Sequence, residues 1–215
     1  MSLRRLPVYI LADCSGSMNG SPIESVKSGI RALHSELMGD PSAVESTYLS
    51  VITFDSNAQQ IVPLTELSQF SLPDIRAGGT TAFGAAIKLL IDCIDREVKK
   101  TTPEQKGDWK PLIFIFTDGE PTDRWDQPAD ELKAKRPGNT IAVACGDRAN
   151  PAALKRVTDN VLIMKDMSPD AFKQFFKWVS ASIKQTSQKI GAPASAAPTD
   201  GVALPPPPPQ IIIHP

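Results

Sequence analysis

Three short segments of this 215-residue chain carry residue types suited to holding a small hard cation. The first is Asp13-Cys14-Ser15-Gly16-Ser17-Met18, which follows an apolar run and leads to a helix start. The second is Gly78-Gly79-Thr80, before a helical pattern, and the third is Thr117-Asp118-Gly119, after another apolar run. Between them they supply two carboxylates and four hydroxyls. A cation such as Mg²⁺ takes about six oxygens at ~2.1 Å, with water or a ligand filling the remainder. Histidine and thiolate are absent from the set, which disfavours zinc and copper and favours Mg²⁺ or Mn²⁺. Two carboxylates at most neutralise such an ion, and fewer in direct contact leave it positive, so an open position on it attracts an acidic group from another protein. Binding, dependent on the metal, is the natural output.

These segments need a scaffold that brings them to one place, and the hydropathy pattern provides it. Apolar runs of strand length alternate with segments of helical period, the pattern of a parallel sheet covered by helices. Strands are expected at Val8 to Ala12, Tyr48 to Phe54, Leu112 to Phe116, Thr140 to Ala144 and Val161 to Met164. Ala58 to Leu64 reads as a further strand, joined through Asp55-Ser56-Asn57 into an antiparallel hairpin at one edge. In such sheets the loops at the carboxyl ends of the strands form the ligand crevice. Asp55 is expected to stabilise its turn rather than reach that crevice.

Ser21, Pro22 and Glu24 predict a capping box opening a first helix that runs to about Met38. A second helix places Phe83, Ile87, Leu90, Ile91, Ile94 and Val98 on one stripe. A last helix, Pro169 to Lys189, turns Phe172, Phe175, Phe176 and Val179 inward as core. Glu120 and Asp123 lie near the site and could tune it, but Asp123 could equally cap the helix that starts near Trp125.

Composition narrows the class. With 23 basic and 24 acidic residues and no run of either sign, nothing points to a nucleic-acid partner. Three cysteines, Cys14, Cys93 and Cys145, fit neither a zinc knuckle nor a disulfide set, and a reducing cytoplasmic setting fits best. Leu11-Ala12-Asp13-Cys14 faintly resembles a lipoprotein cleavage site, but Pro7 and Asp13 interrupt the apolar run such a signal needs. No stretch approaches the ~20 apolar residues of a membrane span. Residues 191 to 215 hold eight of the twenty prolines, with Pro205 to Pro209 consecutive. They read as a disordered tail outside a domain of residues 1 to 190, unable to join a sheet. Docking to a proline-reading partner, with Ile211 to Ile213 as an apolar grip, is the other use such a tail could have.

Asp-x-Ser-x-Ser after the first strand, Gly-Gly-Thr before a helix and Thr-Asp-Gly after a buried strand resemble, in order, the metal-ion-dependent adhesion site of von Willebrand factor type A (VWA) domains. The resemblance covers roughly residues 6 to 185. It implies a Rossmann-like, doubly wound α/β fold, mostly parallel with one antiparallel edge strand and with helices on both faces. Carried over by motif, the metal ligands are Asp13, Ser15, Ser17, Thr80 and Asp118, Thr80 being the threonine that follows the glycine pair. Thr117-Asp118-Gly119-Glu120-Pro121-Thr122-Asp123 in a short form without insertion is most similar to the bacterial TerY-type proteins of tellurium-resistance clusters. That implies a non-catalytic stress-response module acting alongside a protein kinase and a phosphatase.

Two other functions compete. A Mg²⁺-dependent phosphotransferase or phosphatase could use Asp13 as nucleophile, but it would want a second acid two residues on, where Ser15 stands, and a basic residue in the loops. A scaffold could act chiefly through the proline-rich tail. No Gly-x-Gly-x-x-Gly or phosphate loop follows a strand, and His34 and His214 form no nucleophile and base pair.

Overall fold

The computed structural model describes residues 4–147, 149–190, 205–209 and 211–213. Its strands are β1 (Leu6–Asp13), β2 (Thr47–Phe54), β3 (Ala58–Glu66), β4 (Leu112–Thr117), β5 (Asn139–Cys145), β6 (Val161–Met164) and β7 (Ile211–Ile213). They form one sheet in the order β3-β2-β1-β4-β5-β6-β7. The central strands are parallel, and β3 lies antiparallel on β2 as the hairpin pattern predicts. All eight residues of β1 are buried. Strand geometry sends alternate side chains to opposite faces, so Val8, Ile10 and Ala12 enter one core while Tyr9 and Leu11 enter the other.

The helices are α1 (Ser21–Met38), α2 (Pro41–Ser46), α3 (Phe83–Glu97), α4 (Asp126–Lys135), α5 (Pro151–Val157) and α6 (Pro169–Ile190). The first core takes Val26, Ile30 and Leu33 of α1 with Phe172, Phe175 and Phe176 of α6; the second takes Ile87, Leu90 and Ile91 of α3 with Leu132 and Leu154. Helices therefore cover both faces, and the fold class is the doubly wound α/β one expected. Burying each of those phenylalanines contributes about 1.5–3 kcal/mol. Close approach of α1 and α6 requires Gly29, because a Cβ there would stand 2.0 Å from the Phe176 ring.

Two local expectations differ from the structure. The capping box on α1 does not form: Gly20, at φ +83°, precedes Ser21 with no side-chain cap. The Glu24 carboxylate is instead taken by Lys27 at 2.8 Å, and Lys27 also reaches Asp74 at 2.9 Å. The second difference is β7, which pairs antiparallel with β6 and gives the sheet a second antiparallel edge. The prolines themselves stay out of the ladder, as their missing N–H demands. The isoleucines after them keep their donors and are strong strand formers, and Ile211 is buried.

Among the described residues, no helix is long and apolar enough to cross a membrane.

Candidate metal centre

Strand order reverses between β1 and β4, whose helical connections leave on opposite faces, and this opens a crevice at their carboxyl ends. Ala12 pairs with Phe116 across the two strands, so both deliver their next residues, Asp13 and Thr117, to that end. The loops that follow are tied together by long-range backbone bonds. Gly16 N–H donates to the Gly79 carbonyl at 3.1 Å, and Gly78 N–H to the Cys14 carbonyl at 2.8 Å. Thr81 N–H donates to the Thr122 hydroxyl at 3.0 Å, and Thr122 N–H to the Thr81 carbonyl at 2.9 Å. Gly79 sits at φ +71°, where a side chain would be strained and a Cβ would meet the Ser56 hydroxyl at 2.4 Å.

Four of the five expected ligands come together on this scaffold. The Ser17 hydroxyl donates to Asp118 Oδ1 at 2.6 Å and lies 3.0 Å from the Ser15 hydroxyl. Asp13 accepts from the Ser15 amide at 2.8 Å and from the Thr117 hydroxyl at 2.6 Å. Asp13, Ser15 and Asp118 are 0%, 2% and 1% exposed. Above them opens a cleft of about 430 Å³ lined by Ser17, Thr81, Asp118, Gly119 and Glu120.

The fifth expected ligand, Thr80, stands elsewhere. It is exposed, and its hydroxyl and amide both point to the Ser56 hydroxyl, at 3.5 and 3.2 Å. Thr81 faces the cleft, with its hydroxyl 3.2 Å from where a Cβ on Gly119 would be. The physical reason is the register set by Thr122 and by the Ala82 N–H, which donates to the Asp55 carbonyl at 2.7 Å. Those anchors fix which of two adjacent hydroxyls turns inward.

Burial holds the Asp13 carboxyl above the usual carboxylate range, and the negative charge of Asp118 adds to that, against the lowering effect of the Thr117 and Ser15 hydrogen bonds. The neighbouring thiols respond in the same sense. Burial, with Asp13 and Asp55 nearby, pushes Cys14 up to about 12, and burial with Asp118 and Asp13 also raises Cys145. Both stay protonated at neutral pH, so the donor set remains one of hard oxygens. Among the described residues, no group of three His, Cys, Asp or Glu side chains is placed to hold a metal. The two carboxylates with the Ser15, Ser17 and Thr81 hydroxyls therefore suit a small oxygen-loving dication better than a thiolate- or imidazole-bound one.

Several supporting roles were not legible beforehand. Thr117 anchors Asp13, and Thr122 positions Thr81. Asp123 caps α3, not the helix after it: its two carboxylate oxygens accept from the Gly84 and Ala85 amides, each at 2.9 Å. The residue before α4, Trp125, makes no side-chain cap. Glu120, at the cleft rim, accepts from Asn150 Nδ2 at 3.0 Å. Asp55 accepts from the Asn57 amide at 2.9 Å, holding its turn as expected.

Residues 8–178 match the family model of the von Willebrand factor type A domain. An uncharacterised protein of Synechocystis sp. is 32% identical over 124 residues, which is 54% of this chain and 26% of that protein. Among solved structures, the ArnB paralog VWA2 from Sulfolobus acidocaldarius is similar in fold, with TM-score 0.59, 19% identity, and coverage of 85% of this chain and 46% of that one. Proximal thread matrix protein 1 from the mussel byssus, with a zinc-occupied MIDAS motif, aligns with TM-score 0.59, 17% identity, and coverage of 83% and 48%. This chain thus spans about a quarter of the curated relative and less than half of these two structures. It belongs to the VWA domain family, whose members are metal-dependent protein-interaction modules.

Proposed function

We propose that this chain is a non-catalytic module that binds a protein partner through a divalent cation held by Asp13, Ser15, Ser17, Thr81 and Asp118. The observation that carries this reading is the convergence of two buried carboxylates and three hydroxyls beneath one open cleft. Mg²⁺, or Mn²⁺, is the ion this donor chemistry favours. It would supply a positive centre, and an acidic side chain of the partner would complete its coordination. A phosphoryl-transfer enzyme using Asp13 would want a second acid two residues on, where Ser15 stands.

The narrower setting we propose is cytoplasmic, in a bacterial tellurite or stress response of the TerY type, beside a kinase and a phosphatase. Its support is the run from Thr117 to Asp123 and three buried, unpaired thiols that suit a reducing compartment.

The test is titration of Mg²⁺ or Mn²⁺ into wild type and Asp118→Ala, followed by capture of partners from cytosol with metal or with chelator. Loss of the charged Asp118 carboxylate should cost more than the roughly 10–100-fold typical of an outer-shell partner. Partner capture should need both the metal and Asp118. Equal capture in all four conditions would make the ion dispensable and the proposal untenable.

A further inference from the structure

The proline-rich segment is bound in a way that its composition did not foretell. Trp178 of α6 is 7% exposed, and its indole Nε1–H donates to the Pro205 carbonyl at 2.8 Å. Its ring is fixed by the core: it meets Phe114 edge-on with centroids 6.4 Å apart, and Phe175 at 5.6 Å. A polyproline carbonyl has no internal hydrogen-bond partner, and the rod it belongs to is already stiff. An aromatic donor can therefore hold it at little cost in entropy.

The chain then turns, with Ile211 N–H donating to the Pro208 carbonyl at 2.9 Å. It lays Ile211, Ile212 and Ile213 opposite Met164, Ile163 and Leu162 of β6. Ile211 is 5% exposed and joins the core beside Met164 and Leu162. Ile212 and Ile213 are 51% and 60% exposed. One indole donor, one strand edge and one apolar socket are thus each matched to a different part of a single segment. Without that segment, the four-residue β6 would be an open edge offering unpaired backbone groups.

We infer that Trp178 and the outer edge of β6 form a peptide-binding site for a proline-rich segment that runs into aliphatic residues. Residues 205–209 and 211–213 occupy it in cis. A tethered occupant acts at an effective concentration in the millimolar range, so a second ligand of the same chemistry must displace it. The site lies on a different edge of the molecule from the metal centre and needs no cation.

The experiment uses a fluorescent synthetic peptide of residues 205–215 titrated into the full-length chain. Ile211→Asp in the protein places a charge in the apolar socket and weakens the resident segment while leaving the site itself intact. The peptide should bind this variant at least about tenfold more tightly than wild type, since the wild-type tail competes. Adding Trp178→Phe to that variant should weaken binding again by at least about tenfold, as loss of a well-made anchor does. A peptide carrying Ile211→Asp should fail to bind, a control that leaves the protein core untouched. In the variant protein alone, hydrogen exchange should quicken at residues 161–164. Equal peptide affinity for wild type and the Ile211→Asp variant, or no binding to the variant at millimolar peptide, overturns the inference. Chelator should change none of these results, and a metal-dependent affinity would also overturn it.

Discussion

The two ends of β1 treat a buried carboxylate in opposite ways. At the amino end, Asp108 has a side chain only 3% exposed, and Arg5 covers it, with Nε donating to Oδ1 at 2.9 Å. The Lys99 amide donates to Oδ2 at 2.7 Å, and Arg5 also reaches the Glu97 carbonyl at 2.7 Å. The negative charge is matched within the chain, and Asp108 in turn raises the pKa of Arg5. At the carboxyl end, Asp13 is equally buried, yet its partners, the Ser15 amide and the Thr117 hydroxyl, are neutral. The nearby charge acting on it, that of Asp118, has the same sign. One carboxylate serves the fold. The other is buried against neutral donors and a like-charged neighbour, an imbalance that the proposed cation would relieve. The loops around it are joined by their own backbone bonds.

This contrast is most severely tested at the neutralised end. Arg5→Ala leaves Asp108 buried without its cation and should lower stability by about 3–5 kcal/mol, measured by urea denaturation. The affinity of the folded protein for Mn²⁺ should not change. A loss under ~1 kcal/mol would mean that the Arg5–Asp108 pair behaves as an exposed one, and the contrast between the two ends would collapse.

How much of this was visible in the sequence follows from the range of each interaction. The central strands were legible because two-sided apolar runs such as Leu112 to Phe116 can only be buried, and α3 because its stripe repeats at helical spacing. That Asp13, Ser15 and Ser17 gather at one end was legible because their spacing lies within one loop. That Thr81 faces the cleft was not, because Thr80 and Thr81 are chemically identical neighbours. Which of them turns inward is set by Thr122 and Asp55, which are distant along the chain. Asp123 misled for a similar reason: a cap is usually local, and this one bridges to the Gly84 and Ala85 amides. The tail was read from its prolines, with Ile211 to Ile213 only as an apolar grip for another protein, although these isoleucines carry the strand signal and the complementary edge lies on β6.

Exchanging adjacent hydroxyls sharpens the ligand assignment. Thr81→Val keeps the shape of the side chain and removes its oxygen from the cleft, so Mn²⁺ affinity should fall about tenfold, equivalent to ~1.4 kcal/mol. Thr80→Val removes only the contact with Ser56 and should leave the affinity within about twofold. The opposite ranking would return the metal to Thr80 and show that the loop rearranges when the ion binds.

The smallest expected effect probes the strain at the carboxyl end directly. Asp13→Asn keeps an oxygen for the Ser15 amide and offers an N–H to the Thr117 hydroxyl, while removing the charge. The folded-state pKa of Asp13 lies above its unfolded value, so ionising it opposes folding. That penalty is absent below the ordinary carboxylate range, grows as pH rises toward the folded value, and is fully present above it. In chelator at pH 7.5 the variant should therefore melt above wild type, by about 2–4 °C for each ~1 kcal/mol relieved. The gain should shrink as the pH is lowered and wild-type Asp13 takes up its proton. Saturating Mg²⁺ should reverse the order, because a ligand that binds only the folded state stabilises wild type and not the variant. If Asp13→Asn melts lower than wild type in chelator at every pH, the carboxylate at this end serves the fold as Asp108 does at the other.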